Sequence, residues 1–189
     1  MPNALKLRIA LPVILAAGLA ACASAPAPRP ATTAPTAPAR HAIANLAAAS
    51  ATLVSGRLML DSGPNGVRIR GDIGGLQPGS SHGFHIHETG DCSKVDASSA
   101  GGHFNPNHAA HGRAEHGAHH LGDIDNLVAD ANGVAHVDAL VHGVSLGDGA
   151  AHDILGRALI VHASADDYSS QPAGNAGARV ACGVIRATP

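Results

Sequence analysis

The feature that most constrains the fold of this 189-residue chain is an alternation of histidine with an apolar residue, His85-Ile86-His87. In a β-strand, residues two apart face the same side, so both imidazoles would share one face while Ile86 points into a core. At a rise of about 3.3 Å per residue, the two imidazoles would lie about 7 Å apart along the strand. Neighbouring strands or loops must therefore supply any further metal ligands.

The downstream sequence offers further donors at spacings that make sense together as a two-metal site. Six histidines and one aspartate form the set: His85, His87, His103, His111, His120, His162 and Asp123. Four imidazoles suit copper, whereas imidazoles with one carboxylate suit zinc. The sequence therefore predicts copper and zinc as cofactors.

The rest of the chain favours an all-β domain. Segments with strand-like patterns are residues 52–60, 66–73, 81–88, 124–129, 134–141, 158–162 and 179–186. The first two predict a hairpin, and Asn132-Gly133 is a hairpin turn signal between 124–129 and 134–141. Tryptophan is absent and glycine is abundant, which fits a turn-rich fold. We predict an antiparallel Greek-key flattened barrel or sandwich of about eight strands.

Two segments have no strand or helix periodicity, residues 89–121 and 163–178. Structureless segments of such length are unusual inside a compact domain. A bound metal removes the objection, because ligation supplies the ordering free energy that these loops lack. We therefore expect two long functional loops.

The N-terminus has the pattern of an exported protein. Lys6 and Arg8 precede a short apolar run, so residues 1–21 are interpreted as a signal peptide. Small residues directly before Cys22 resemble a bacterial lipoprotein processing site, which predicts lipidation of Cys22. The alternative is an ordinary cleavage site with an incidental cysteine. Residues 22–50 are rich in Ala, Pro and Thr and are predicted to be a disordered tether, leaving residues 51–189 as one domain.

Charge and cysteine content exclude some classes of protein. Net charge is −2 and the basic residues are scattered, so nothing indicates a nucleic-acid partner. If Cys22 carries lipid, Cys92 and Cys182 remain, and in an exported protein the simplest interpretation is a disulfide. Free thiols and thiolate metal ligands are the weaker alternatives.

Three motifs, taken together and in order, resemble copper–zinc superoxide dismutase. They are His82-Gly83-Phe84-His85-Ile86-His87-Glu88, Gly102-His103-Phe104-Asn105-Pro106, and the segment from Gly174 to Ile185. The resemblance runs from about Ala51 to Ile185, and the spacing around Cys92 is similar to that of the bacterial periplasmic class. It implies the same barrel and the conversion of superoxide to oxygen and hydrogen peroxide by a redox-cycling copper beside a structural zinc.

The resemblance also implies a role for each residue of the site. Copper would be held by His85, His87, His103 and His162, and zinc by His103, His111, His120 and Asp123. His103 would bridge the metals and donate a proton, Arg179 would attract superoxide, and Asp166 would join His85 to His111. His111 is chosen because it precedes glycine, and His120 is preferred to His119 because Leu-Gly-Asp follows it.

Several alternatives stay open at this point. His108, His116 and His119 are either exposed loop histidines or a secondary metal-binding patch, while the match to His82 in the family is a structural, hydrogen-bonding histidine. A tethered protein that only buffers copper or zinc at the cell envelope is the main alternative to an enzyme. We expect export to the periplasm, with a lipid anchor in the outer membrane as the only membrane contact. A homodimer is considered, but the family's subunit interface differs between classes.

Overall fold

The alternating segments form eight β-strands in the computed structural model, which describes residues 40–188. The only helical element in this range is a single 3₁₀ turn at Ser98–Ala100. The strands are β1 His41–Ala48, β2 Ser55–Gly63, β3 Gly66–Gly74, β4 Ser81–His87, β5 Asp123–Val128, β6 Ala135–His142, β7 Ala158–His162 and β8 Arg179–Ala187.

All neighbouring strands pair antiparallel, in the order β5-β4-β7-β8-β1-β2-β3-β6. The terminal strands of this order, β5 and β6, are consecutive in sequence, and the sheet curls into a nearly closed barrel. The order also carries the long crossovers of a Greek key. The predicted fold class is confirmed.

The barrel interior is built from aliphatic side chains. In β2, Leu58 and Leu60 are fully buried between more exposed neighbours, and in β3 the same holds for Val67 and Ile69. This two-residue period turns one face of each strand inward and the other to water. Phe84, on β4, is the largest fully buried side chain.

Strands β4 and β7 differ because both of their faces are covered. All five residues of β7 are buried. Leu159 and Val161 face the barrel interior, while Ala158 and Ile160 pack against the loop that follows β4. The outer apolar cluster consists of Ala49, Ala97, Ala100, Ala158, Ile160 and Cys182. The long loop is therefore a second layer over this half of the barrel.

A disulfide fastens that layer. Cys92 in the loop is bonded to Cys182 in β8, with the two Cα atoms 5.8 Å apart. The predicted pairing is confirmed, and it ties the segment after His87 to the strand that begins with Arg179.

The predicted start of the domain at residue 51 is wrong. Strand β1 begins at His41, inside the segment predicted to be a disordered tether, and pairs with both β2 and β8. Its inward side chains include Ala42, Ala44 and Leu46, all buried. Alanine is too small to mark a strand by hydrophobic pattern, but it fits where the strand lies close to its neighbours.

The predicted hairpin between residues 124–129 and 134–141 is also wrong. The turn itself exists, since the Gly133 amide donates to the Asp130 carbonyl oxygen at 3.1 Å. However, β5 pairs with β4 and β6 pairs with β3, so the chain crosses from one end of the sheet to the other. The local turn residues predicted the reversal of chain direction correctly, but they did not predict which strands β5 and β6 pair with.

The predicted signal peptide, Cys22 and residues 22–39 of the predicted tether lie outside the described residues. Within residues 40–188, no helix has the length and apolar character needed to cross a membrane.

Removal of the disulfide should destabilise the barrel. It closes a loop with a sequence separation of 90 residues, so its loss from a Cys92→Ala/Cys182→Ala variant should lower the free energy of unfolding by about 2–4 kcal/mol. Denaturant unfolding of the chelator-treated proteins measures the change. Wild-type protein treated with reductant is the control, and an unchanged midpoint in both would contradict the prediction.

Candidate metal centre

The site begins on β4, where His85 and His87 share one face. Both side chains are at most 1 % exposed, and their ring centroids lie 6.4 Å apart, close to the spacing expected from the strand rise. Phe84 and Ile86 point into the barrel core on the other face. The alternation of histidine and isoleucine in β4 thus places two imidazoles outside the barrel wall and beneath the covering loop.

His103 reaches the same place because its loop runs along β4. It forms an isolated antiparallel bridge with His87, and the Phe104 amide donates to the Ile86 carbonyl oxygen at 2.8 Å. Gly122 lies so close that a β-carbon there would clash with the Ile86 carbonyl oxygen. Glycine is required at that position by this close approach.

Four imidazoles converge in a first group, His85, His87, His103 and His162. One nitrogen from each lies within 4.8 Å of the others. These nitrogens are buried and have no hydrogen-bond partner: His85 Nδ1, His87 Nε2, His103 Nε2 and His162 Nε2. Buried polar atoms are nearly always bonded, so four unpartnered nitrogens at one point fit a metal ion. An all-imidazole donor set suits copper.

For three of these rings, the opposite nitrogen is held by an acceptor outside the group. His85 Nε2 lies 2.7 Å from Asp166, and His87 Nδ1 donates to the Gly101 carbonyl oxygen at 2.9 Å. His162 Nδ1 donates to the Gly177 carbonyl oxygen at 3.1 Å. Such bonds fix the tautomer and aim the free nitrogen inward.

Electrostatics keep three of these imidazoles neutral, as metal ligation requires. Burial lowers the pKa of His87 to about 2 and that of His162 to about 3, and neighbouring histidines add to both shifts. Burial also lowers the pKa of His103 to about 4, although Asp123 opposes that shift. At neutral pH each ring therefore offers a lone pair rather than a proton.

A second group combines imidazoles with one carboxylate: His103, His111, His120 and Asp123. Its donors converge around the carboxylate, with His103 Nδ1 2.8 Å, His111 Nδ1 3.1 Å and His120 Nδ1 3.2 Å from the nearest Asp123 oxygen. Burial raises the pKa of Asp123, but hydrogen bonds from His103 and His120 outweigh it and hold the pKa well below its ordinary value. Three nitrogens and one oxygen fit a closed, four-coordinate zinc site.

The two groups share one ring. His103 contributes Nε2 to the first group and Nδ1 to the second. A single imidazole can therefore bridge two metal ions, and the structure brings all seven predicted ligands into this arrangement.

Comparison with known proteins gives the family. The family model for copper/zinc superoxide dismutase matches residues 54–185. The chain belongs to the copper/zinc superoxide dismutase family.

Curated relatives agree. The chain is 42 % identical over 136 residues to "Superoxide dismutase [Cu-Zn] 2" of Aquifex aeolicus, covering 70 % of this chain and 80 % of that protein. It is 42 % identical to a superoxide dismutase-like protein of Bacillus subtilis, covering 66 % and 65 %. An extracellular superoxide dismutase of Brugia pahangi is 41 % identical, covering 70 % and 69 %.

Among solved structures, the clock protein EA4 superposes with a TM-score of 0.72 at 39 % identity, covering 81 % of this chain and 98 % of that one. Members of the copper/zinc superoxide dismutase family use copper and zinc, and the two donor groups of this chain fit those metals.

Asp166 lies behind both groups of this dismutase-family site. Its carboxylate accepts from His85 Nε2 at 2.7 Å and from His111 Nε2 at 2.9 Å, so it joins the two rings as expected. Sequence reasoning missed Asn126, whose side-chain amide bonds both the backbone N–H and the carbonyl of Asp166. An asparagine in an ordinary strand gives no sequence signal for that role.

Arg179 is half-buried at the start of β8. Its guanidinium donates to the carbonyl oxygens of Ala97 at 2.6 Å and Gly101 at 2.5 Å, both in the loop fastened by the disulfide. The Gly101 carbonyl oxygen also accepts from His87 Nδ1, and Arg179 is the register partner of His162 on the neighbouring strand, so Arg179 lies beside the first group. Burial lowers the pKa of Arg179 itself.

The remaining histidines stand apart. His82 is buried, and its Nδ1 donates to the His162 carbonyl oxygen at 2.7 Å, which is a structural role. His108 and His116 are exposed, and within residues 40–188 neither they nor His119 join a group of three or more potential metal ligands. A secondary metal patch made from these three is therefore not assembled.

A cavity of about 530 Å³ lies beside the first group. It is lined by His162 and by the second long loop: Ser170, Gln171, Pro172, Ala173, Asn175, Ala176 and Gly177. Apart from the imidazole, this lining has no ionisable side chain. A small anion could be held in this cavity, beside His162.

Gly174 should be essential for the position of Asp166. It has a φ of +66°, and an added β-carbon would clash with Asp166 Oδ1 and contact His111 Nε2. Gly174→Ala should therefore displace the carboxylate and weaken zinc binding by about 10- to 100-fold in a chelator competition. Gly177→Ala is the matched control, because its φ of +79° imposes similar strain without that clash. Equal affinities in the two variants would contradict this role.

Proposed function

We propose that this protein is a superoxide dismutase that converts superoxide to oxygen and hydrogen peroxide. The observation that carries the proposal is the shared ring of His103, which joins a group of four inward-facing, unpartnered imidazole nitrogens to a closed group with one carboxylate. A purely structural metal site needs only the second group. The assigned copper ligands are His85, His87, His103 and His162, and the assigned zinc ligands are His103, His111, His120 and Asp123.

When bound, copper supplies the one-electron redox chemistry for oxidising one superoxide and reducing another, and zinc supplies fixed charge without redox chemistry. The protein contributes geometry and a proton. His103 Nε2 faces the first group and is the atom at which the chain can hold and release that proton, while Nδ1 stays within the second group.

Arg179 is assigned as the residue that attracts and orients the anion. Its guanidinium is held by two backbone carbonyls and has no carboxylate partner among the described residues. Its charge is thus free to act on superoxide. The cavity lining adds no further cation, so we expect Arg179 to carry most of the electrostatic steering.

The main alternative is metal buffering without catalysis. One relative is called only a superoxide dismutase-like protein, so the fold alone does not ensure activity. The complete donor set together with Arg179 favours the enzyme. A buffering protein would need neither a cavity beside the redox group nor a fixed guanidinium.

We also propose that the protein works outside the cytoplasm, anchored at the cell envelope through lipid on Cys22. The disulfide supports an oxidising compartment, and one relative is described as extracellular. Mass spectrometry of the mature chain from membranes should find acyl groups on Cys22. A mature chain that starts at another residue would contradict the anchor.

The first test is the dismutation rate of the protein loaded with copper and zinc. Wild type should approach about 10⁹ M⁻¹s⁻¹ and should depend on copper. His162→Ala removes a donor that belongs only to the first group, so activity should fall below about 1 % while zinc binding persists. An inactive wild type with both metals bound would favour buffering, and an active His162→Ala would refute the copper assignment.

Replacement of Arg179 tests electrostatic attraction separately from metal binding. Arg179→Ala should retain copper but react with superoxide about tenfold more slowly at low salt, with a weaker dependence on ionic strength. Arg179→Lys is the control, since it keeps the charge and should recover part of the rate. An unchanged rate for Arg179→Ala at low salt would show that attraction arises elsewhere.

A further inference from the structure

Gln171 joins the two long loops by an unusual contact. Its side-chain Oε1 accepts from the backbone amide of His111 at 2.9 Å, and its Nε2 donates to the His111 carbonyl oxygen at 2.9 Å. One side-chain amide thus pairs with both backbone groups of one residue, as a neighbouring strand would. No regular strand pairing holds His111, because it lies in the loop between β4 and β5.

This contact completes the restraint of His111. Its Nε2 bonds Asp166 at 2.9 Å, and its Nδ1 is the buried, unpartnered atom directed at the second group. With the backbone held by Gln171, only Nδ1 remains without a partner in the chain. Prior fixation of a ligand reduces the conformational entropy lost when a metal binds.

Gln171 also lines the wall of the cavity beside His162. The neighbouring Ser170 and Pro172 line the same wall. The residue that restrains a ligand of the second group is therefore also part of the wall of the cavity beside the first group. The hydrogen bonds between Gln171 and His111 therefore restrict the motion of both the zinc-group ligand and the cavity wall.

We propose that Gln171 is a positioning residue through which zinc binding at His111 orders the wall of the substrate cavity. The proposal rests on the proposed function, which assigns His111 to zinc and the cavity to superoxide. Coupling of this kind is reciprocal, so a held wall favours zinc as much as zinc favours the wall. Asp166 is a second link between the loops, so loss of Gln171 should weaken the coupling without abolishing it.

Two measurements on full-length protein test the proposal. The first is the affinity for Zn²⁺, and for Co²⁺ as a spectroscopic probe, by chelator competition. Gln171→Leu should weaken both by about tenfold. The second is hydrogen exchange with and without Zn²⁺, in which zinc-dependent protection of residues 168–175 should fall in the variant. Gln171 is exposed, so the variant should fold.

Matched variants separate the loss of the Gln171–His111 hydrogen bonds from general effects of replacing a glutamine with leucine. Gln77→Leu makes the same change in an exposed turn between β3 and β4 and should behave as wild type. Gln171→Glu keeps the acceptor for the His111 amide but loses the donor to the His111 carbonyl. Its affinity for Zn²⁺ should therefore lie between those of wild type and Gln171→Leu. Full protection and wild-type affinity in Gln171→Leu would overturn the proposal.

The outcomes distinguish this inference from the proposed function. If wild type binds both metals and is active while Gln171→Leu is indistinguishable from it, only the role of Gln171 is refuted. If wild type shows no dismutation yet Gln171→Leu still weakens zinc and loosens residues 168–175, the coupling stands and the catalytic function fails.

Discussion

The metal centre and the loops around it depend on a set of buried imidazole nitrogens that have no hydrogen-bond partner in the described part of the protein. An unsatisfied buried polar group costs about 1–3 kcal/mol, and five such nitrogens lie in the two donor groups. Metal ligation converts this cost into binding free energy. The same ligation gives order to a covering loop that contains little large apolar surface. The shared ring of His103 makes the two groups one unit.

The barrel makes this unit possible by offering a rigid wall with both faces in use. Strands β4 and β7 turn Phe84, Leu159 and Val161 into the core and their alternate residues toward the covering loop. The disulfide between Cys92 and Cys182 holds that loop on the wall. Because Arg179 is bonded to the same loop, Arg179 and the histidine face are positioned by one layer.

Connections between the two loops form a second level of support. Asp166 bonds two ligand rings, Asn126 fixes the backbone of Asp166, and Gln171 fixes the backbone of His111. These contacts explain how long segments without regular structure can hold ligands in place. They also make zinc binding and the shape of the cavity properties of the same network.

The sequence by itself determined the ligand set, the strand carrying His85 and His87, and the all-β class, because these depend on local alternation and on motifs. Only the tertiary structure decided that residues 41–48 form β1 and that β5 and β6 do not pair, since small residues and strand partners leave no local pattern. The roles of Gln171 and Asn126 likewise could not be predicted from the sequence. Their roles arise from contacts between segments far apart in the chain, which no spacing along the sequence encodes.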